Sequence, residues 1–193
     1  MTVKEAIYKR RTIRKFTQEP VPREALADII DCGRVAAFGG NMQPLKFAVI
    51  DDRRTCEELF PLIKWAAYLP DGAPREGERP LSYIAILGDK SIKNGNFETD
   101  AGAAVTNMML AAEEAGLATC WLGAIQRPQI KELLRLEDKY DVLYLLAVGY
   151  PAQKSVMCSF DGSVKYFIDE NGTVNVPKRS LEEVIIPIKG TEK

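Results

Sequence analysis

Lys9, Arg10, Arg11, Arg14 and Lys15 crowd seven positions near the start of the chain, with Thr12 and Ile13 between them. Cations at that density bind anions, and the guanidinium fork matches the oxygens of a phosphate in a way that a lone ammonium does not. A second pair, Lys178 and Arg179, stands directly before Ser180 and Glu183, which have the S/T-x-x-E spacing of a helix capping box. Unpaired N–H groups at a helix start favour phosphate, so two distant segments ask for the same anion. The chain as a whole is not basic: 26 Lys and Arg stand against 27 Asp and Glu, for a formal net charge of -1. A nucleic-acid-binding face needs a broad basic surplus, and here the positive charge is local.

The sequence contains no histidine. That absence removes Ser-His-Asp and Cys-His nucleophilic catalysis, the HExxH zinc site and every histidine-centred proton shuttle. Four cysteines, Cys32, Cys56, Cys120 and Cys158, lie far apart with no CxxC pair, which fits buried free thiols and neither a disulfide framework nor a metal site. Neither GxGxxG nor GxxxxGK[ST] occurs, so a phosphate must be held by other means. Chemistry would then come from a cofactor that carries its own reactive atom, with the protein supplying orientation and electrostatics.

The elements that position these groups follow from pattern. Thr2 and Glu5 form a capping box for a short first helix that the basic cluster closes. Pro22 opens a second helix, expected over about Arg23 to Ala37, which "FGGN" ends. "FAVID", "SYIAIL" and "LYLLAVG" read as strands covered on both faces. Asp100 to Ala115 reads as a central buried helix, with Gly116 as its cap. Asn171-Gly172 supplies the turn of a hairpin between Tyr166–Ile168 and Thr173–Val176. "PDGAPREGERP" reads as a mobile surface loop. A single domain over residues 1–193 is expected, soluble and cytoplasmic, with neither signal peptide nor membrane-spanning stretch.

Joined in order, "RRTIRKF", "GGNMQPLKF", "AGLATCWLGAI" and "VPKRS" make the chain resemble the FMN-dependent nitroreductase family over nearly its whole length. The resemblance implies an α+β fold of three layers, α/β/α, with a mostly antiparallel central sheet. It also implies an interlocked homodimer with FMN in each of two interface grooves. Carried over by residue, Arg10, Arg11, Thr12 and Arg14 match the opening flavin-binding motif, Arg14 facing the pyrimidine side of the ring. Lys178 and Arg179 resemble the phosphate clamp, and Leu122, Gly123 and Ala124 fall where backbone amides approach N5. Asn41, Gln43 and Pro44 match the segment given by the partner subunit, and Lys64 is a candidate for a mid-chain ring contact. The family usually has Pro-Ser before Gly-Gly-Asn, where this chain has Ala37-Phe38. The implied activity is ping-pong electron transfer from NADH or NADPH to a small electron-poor acceptor: a nitroaromatic, quinone or flavin. Arg14 and Gly123 would support the flavin, with no catalytic side chain and no metal. Dehydrogenation, flavin cleavage and a non-enzymatic flavin store or sensor remain the alternatives.

Overall fold

A computed structural model describes residues 1–188. Four strands make the central sheet: β1 (Leu45–Ile50), β2 (Ser82–Asp89), β3 (Ala118–Leu122) and β4 (Tyr140–Gly149). Their order is β1-β2-β4-β3 and every neighbouring pair is antiparallel. All eight residues of β2 are buried, because alternate side chains enter different layers. Tyr83, Ala85 and Leu87 pack into one apolar cluster with Cys56, Leu59 and Ile130, while Ile84 and Ile86 pack into another with Leu26, Ile29 and Met108.

The first cluster lies under α3 (Arg53–Leu59) and α5 (Arg127–Leu133); the second lies under α2 (Arg23–Arg34) and α4 (Glu98–Glu114). The result is the expected three-layer α/β/α arrangement. Small residues set the distance between α2 and α4: a Cβ on Gly33 would stand 2.6 Å from Met108 Cγ. The second helix stops at Arg34, earlier than the expected Ala37, and Ala36 and Phe38 fold back onto the α2–α4 core. The central helix begins at Glu98, two residues before the expected start.

A short first helix, α1 (Val3–Lys9), has both hydrogen bonds of its capping box. The C-terminal strands form a separate sheet in which β7 (Val174–Lys178) lies between β5 (Ser155–Ser159) and β6 (Phe167–Ile168). The β6–β7 hairpin is antiparallel as expected, but the β5–β7 pairing is parallel, a long-range contact that no local turn announces. The Pro- and Gly-rich segment is tied down near its C-terminal end: Phe16 N–H donates to Glu78 C=O, Lys15 pairs with Glu78 at 3.0 Å, Gln18 Nε2 donates to Arg79 C=O at 3.1 Å, and Arg79 pairs with Glu57. None of the helices among the described residues is long and apolar enough to cross a membrane.

Burial decides the character of two thiols. Desolvation pushes Cys56 up to about 12 and Cys120 up to about 11, and Cys56 Sγ donates to Leu81 C=O at 3.3 Å. Cys32 is exposed. A disulfide-exchange reagent at pH 8 should leave Cys56 and Cys120 unmodified until guanidinium is added, as read by mass spectrometry of labelled peptides. Modification of either in the native protein would contradict this packing.

Candidate functional site

The basic segment is an extended edge laid against β3 and the end of β4. Ile13 N–H donates to Thr119 C=O at 3.0 Å, Thr17 N–H to Tyr150 C=O at 2.9 Å, and Ala152 N–H to Lys15 C=O at 2.9 Å. Thr12 bridges Thr119 in the parallel sense. Ile13 and Phe16 are buried, which fixes the register. Successive side chains on an extended segment point to opposite faces, so Thr12 and Arg14 share one face and Arg11 takes the other with Ile13.

Charge pairing divides the cluster further. Lys9 pairs with Glu113 at 3.1 Å and Lys15 with Glu78. Arg10, Arg11 and Arg14 have no carboxylate partner among the described residues. Arg10 is half-buried; desolvation lowers its pKa, Arg11 adds repulsion, and Glu113 opposes both. Its guanidinium stays charged and is already partly stripped of water, a state that an anion would relieve. Arg14 is also half-buried, and its guanidinium lies 4.6 Å from the centre of the Tyr166 ring. Tyr166 in turn tilts against Tyr68 at 5.1 Å.

Arg11 is 8% exposed, and its Nη2 donates to Tyr8 C=O at 2.5 Å, while its buried Nε has no partner. It lines a cavity of about 220 Å³ with Lys9, Glu113, Lys154 and Ser155, whose buried hydroxyl is also unpartnered.

At the far end of β3 the chain leaves the sheet through Gly123 and Ala124. Lys64 N–H donates to Ala124 C=O at 2.9 Å, and Ile63 bridges Ile125. Leu62, Lys64, Gly123, Ala124, Gln126 and Arg127 line a cavity of about 310 Å³. Lys64 and Gly123 thus line the same cavity. The N–H groups of Gly123 and Ala124 donate to no acceptor among the described residues, so they are available to a ligand. Arg127, which sequence reasoning missed, donates through Nη2 to Gly123 C=O at 3.1 Å and Leu143 C=O at 2.9 Å, holding that corner. Its only signal was a position at the start of α5, directly after "GAIQ".

Lys178 closes β7 and is exposed, with no carboxylate partner among the described residues. Arg179 instead bonds to Glu183 at 3.3 Å and covers the Phe160 ring at 4.2 Å. The expected helix after them, α6 (Leu181–Val184), has its Ser180–Glu183 capping box but only four residues, too few for a substantial dipole.

The Gly-Gly-Asn segment is a tight turn over Gly39–Asn41; Gly40 and Asn41 within it and Gln43 just after it have φ of 57°, 53° and 51°. Asn41 and Gln43 are exposed, and the Gln43 amide nitrogen reaches both Asn41 oxygens at 3.3 Å. Pro44 is buried and its C=O accepts from Asp89 N–H at 2.8 Å. Burial opposes ionisation of Asp100, yet the Lys93 hydrogen bond and the Gly39 N–H outweigh it and hold the carboxyl below the usual carboxylate range. Leu45 sits opposite Gly88, which sits opposite Asp141, whereas Thr119 pairs with Val148. Strand spacing and rise therefore separate the Asn41 corner from the Arg10–Arg14 edge by roughly 30 Å across the sheet diagonal. One chain does not bring these two predicted segments together.

A larger groove of about 360 Å³ lies between α1 and α4, lined by Val3, Ala6, Cys32 and Leu110. It is mainly apolar and contains none of the candidate residues.

The sequence model of the nitroreductase family matches residues 7–81 and 86–150. A protein of Archaeoglobus fulgidus, provisionally named an NADH dehydrogenase/NAD(P)H nitroreductase, is 26% identical over 152 residues, covering 75% of this chain and 83% of its own. An NAD(P)H FMN reductase of Bacillus subtilis is 31% identical over 160 residues, covering 75% of this chain and 64% of its own. A solved structure from Desulfovibrio desulfuricans, provisionally described as a nitroreductase in complex with FMN, superposes with a TM-score of 0.73 at 29% identity, over 97% of each chain.

Arg11 has no carboxylate partner among the described residues, and its guanidinium donates to Tyr8 C=O. Arg11→Met keeps the apolar stem and gives up that charge-assisted bond, so urea denaturation of the ligand-free protein should show a loss of about 1.5–3 kcal/mol at most. A loss of about 5 kcal/mol would instead be that of a broken buried ion pair.

Proposed function

Since the chain belongs to the nitroreductase family, we propose that it is an FMN-dependent oxidoreductase that moves electrons from NADH or NADPH to a small electron-poor acceptor, a nitroaromatic, quinone or flavin. The observation that carries this reading is that Arg10 and Arg14, half-buried at one edge of the sheet, have no carboxylate partner among the described residues. Residues left in that state fit a phosphorylated cofactor.

In this reading Arg10 and Lys178 hold the phosphate, with Arg179 steadied beside them by Glu183. Arg11 backs the same segment from its opposite face. Thr12 meets the ribityl chain, and Leu122 positions Gly123 and Ala124, whose free N–H groups meet the ring. Asn41, Gln43 and Pro44 come from the second copy, because the sheet diagonal keeps them from reaching the same ligand in one chain. The functional unit is a homodimer with two composite grooves. Bound there, FMN would supply reversible two-electron chemistry. Arg14 would place a fixed positive charge beside the ring and favour its more negative form. No histidine is needed, since solvent protonates the product. A donor and an acceptor that use one groove in turn give ping-pong kinetics.

The purified protein, supplied with FMN, should show visible flavin bands that bleach on anaerobic addition of NADH or NADPH. Protein that takes up no FMN would remove this function. Bands that neither nucleotide bleaches would leave a flavin store or a different electron donor.

Arg14→Gln should retain FMN with a lower midpoint potential, because the amide keeps hydrogen bonding and loses the charge. Spectroelectrochemistry reads the shift, and an unchanged or raised potential in flavin-loaded variant would take Arg14 out of this role.

A further inference from the structure

The Gly39–Gln43 turn holds two non-glycine residues with left-handed backbones, each of which costs on the order of 1 kcal/mol or more. Such a conformation persists only where its ends are fixed. One end is Pro44, bonded to Asp89 at the start of β1. The other is Gly39, whose N–H donates to Asp100 Oδ1 at 3.0 Å. Between these anchors, the side-chain hydrogen bonds of Asn41 and Gln43 among the described residues run from the Gln43 amide nitrogen to the two Asn41 oxygens.

Asp100 lies in the first turn of α4 and is 2% exposed. Its second oxygen accepts from Lys93 Nζ at 2.7 Å, and Lys93 Nζ also donates to Asn96 C=O at 2.7 Å. Lys93 is itself held over the Phe97 ring at 5.9 Å, and that ring closes on Gly88 of β2, where a Cβ would come within 2.7 Å of it. The carboxylate is thus fixed from the sheet on one side and grips the turn on the other.

We infer that Asp100 is a positioning residue acting across the dimer: through Gly39 it presets the left-handed turn that offers Asn41 and Gln43 to the flavin of the second copy. This rests on the composite FMN groove proposed above. Asp100 touches neither cofactor nor substrate. Its effect is to hold in the free protein a turn conformation that FMN binding would otherwise have to impose.

The test is FMN titration of flavin-stripped dimers of defined composition. Asp100→Ala homodimers should bind FMN about tenfold more weakly, the equivalent of about 1.4 kcal/mol of ordering transferred to the binding step. Gly39→Pro removes the donated N–H without touching the core, suits the extended Phe38 that precedes it, and should give a similar loss. Asp100→Asn keeps an acceptor oxygen for Gly39 and should recover part of the affinity. A general loss of stability would weaken every groove of an altered subunit alike, so mixed dimers carry the decision. Arg10→Ala subunits paired with Asp100→Ala subunits should regain one groove of parental affinity, since both lesions fall in the other groove. Subunits altered at Asn41 and Gln43, paired with Asp100→Ala subunits, should regain none.

Parental affinity in both Asp100→Ala and Gly39→Pro would overturn the inference. So would Arg10→Ala and Asp100→Ala heterodimers with no tight groove, where Arg10→Ala paired with the Asn41 and Gln43 variant does restore one. If that control pairing also restores nothing, the composite groove itself is wrong and the inference falls with it.

Discussion

Everything at the candidate site depends on how the Arg10–Thr17 segment is fastened to the edge of the sheet. Burying Ile13 and Phe16 contributes about 1.5–3 kcal/mol each, and the backbone hydrogen bonds to Thr119 and Tyr150 lock the register. Opposing this is repulsion among neighbouring guanidiniums, which for a partly solvated pair at 4 Å reaches about 4 kcal/mol and falls as separation and hydration rise. Alternation of faces keeps Arg11 away from Arg14 and limits that repulsion. The apolar anchors prevail, and Arg10 and Arg14 stay half-exposed with no carboxylate partner among the described residues. An anion that binds there relieves repulsion which the fold has to tolerate without it.

The same sheet that fixes this edge keeps the Asn41 corner away from it. The Gly39–Gln43 turn projects from the opposite corner, held by the first turn of α4 and the start of β1. Strand order and register put the two corners at the ends of a diagonal, so no local rearrangement joins them within one chain. In the homodimer proposed above, association of two copies would join them without deforming either sheet. The strained turn and the arginines without carboxylate partners among the described residues share one physical character: each is a local free-energy cost held in place by well-packed neighbours.

The interior offers no acid or base suited to neutral pH. Desolvation raises the pKa of Cys56, Cys120 and Tyr83, so these groups stay neutral and inert in the core. What faces the site is permanent charge and backbone N–H. Those groups bind and polarise, but they do not shuttle protons, which suits a protein whose bound cofactor carries the reacting atom.

The sequence by itself determined what local rules encode. Thr2–Glu5 and Ser180–Glu183 fixed helix starts, continuous apolar runs marked strands covered on both faces, and the lack of histidine excluded whole classes of mechanism. Motif order pointed to the family. Periodicity did not decide long-range register. Only the tertiary structure turned Arg11 away from Arg14 and brought Lys64 and Arg127 to Gly123. It alone set β5 parallel to β7 and drew Asp100 onto Gly39 across sixty-one positions of chain. The physical reason is that a residue's burial depends on its near neighbours' pattern and can be read locally. Its hydrogen-bond partner depends instead on which strand edges and helix ends the whole core brings within 3 Å, and no short stretch of sequence contains that information.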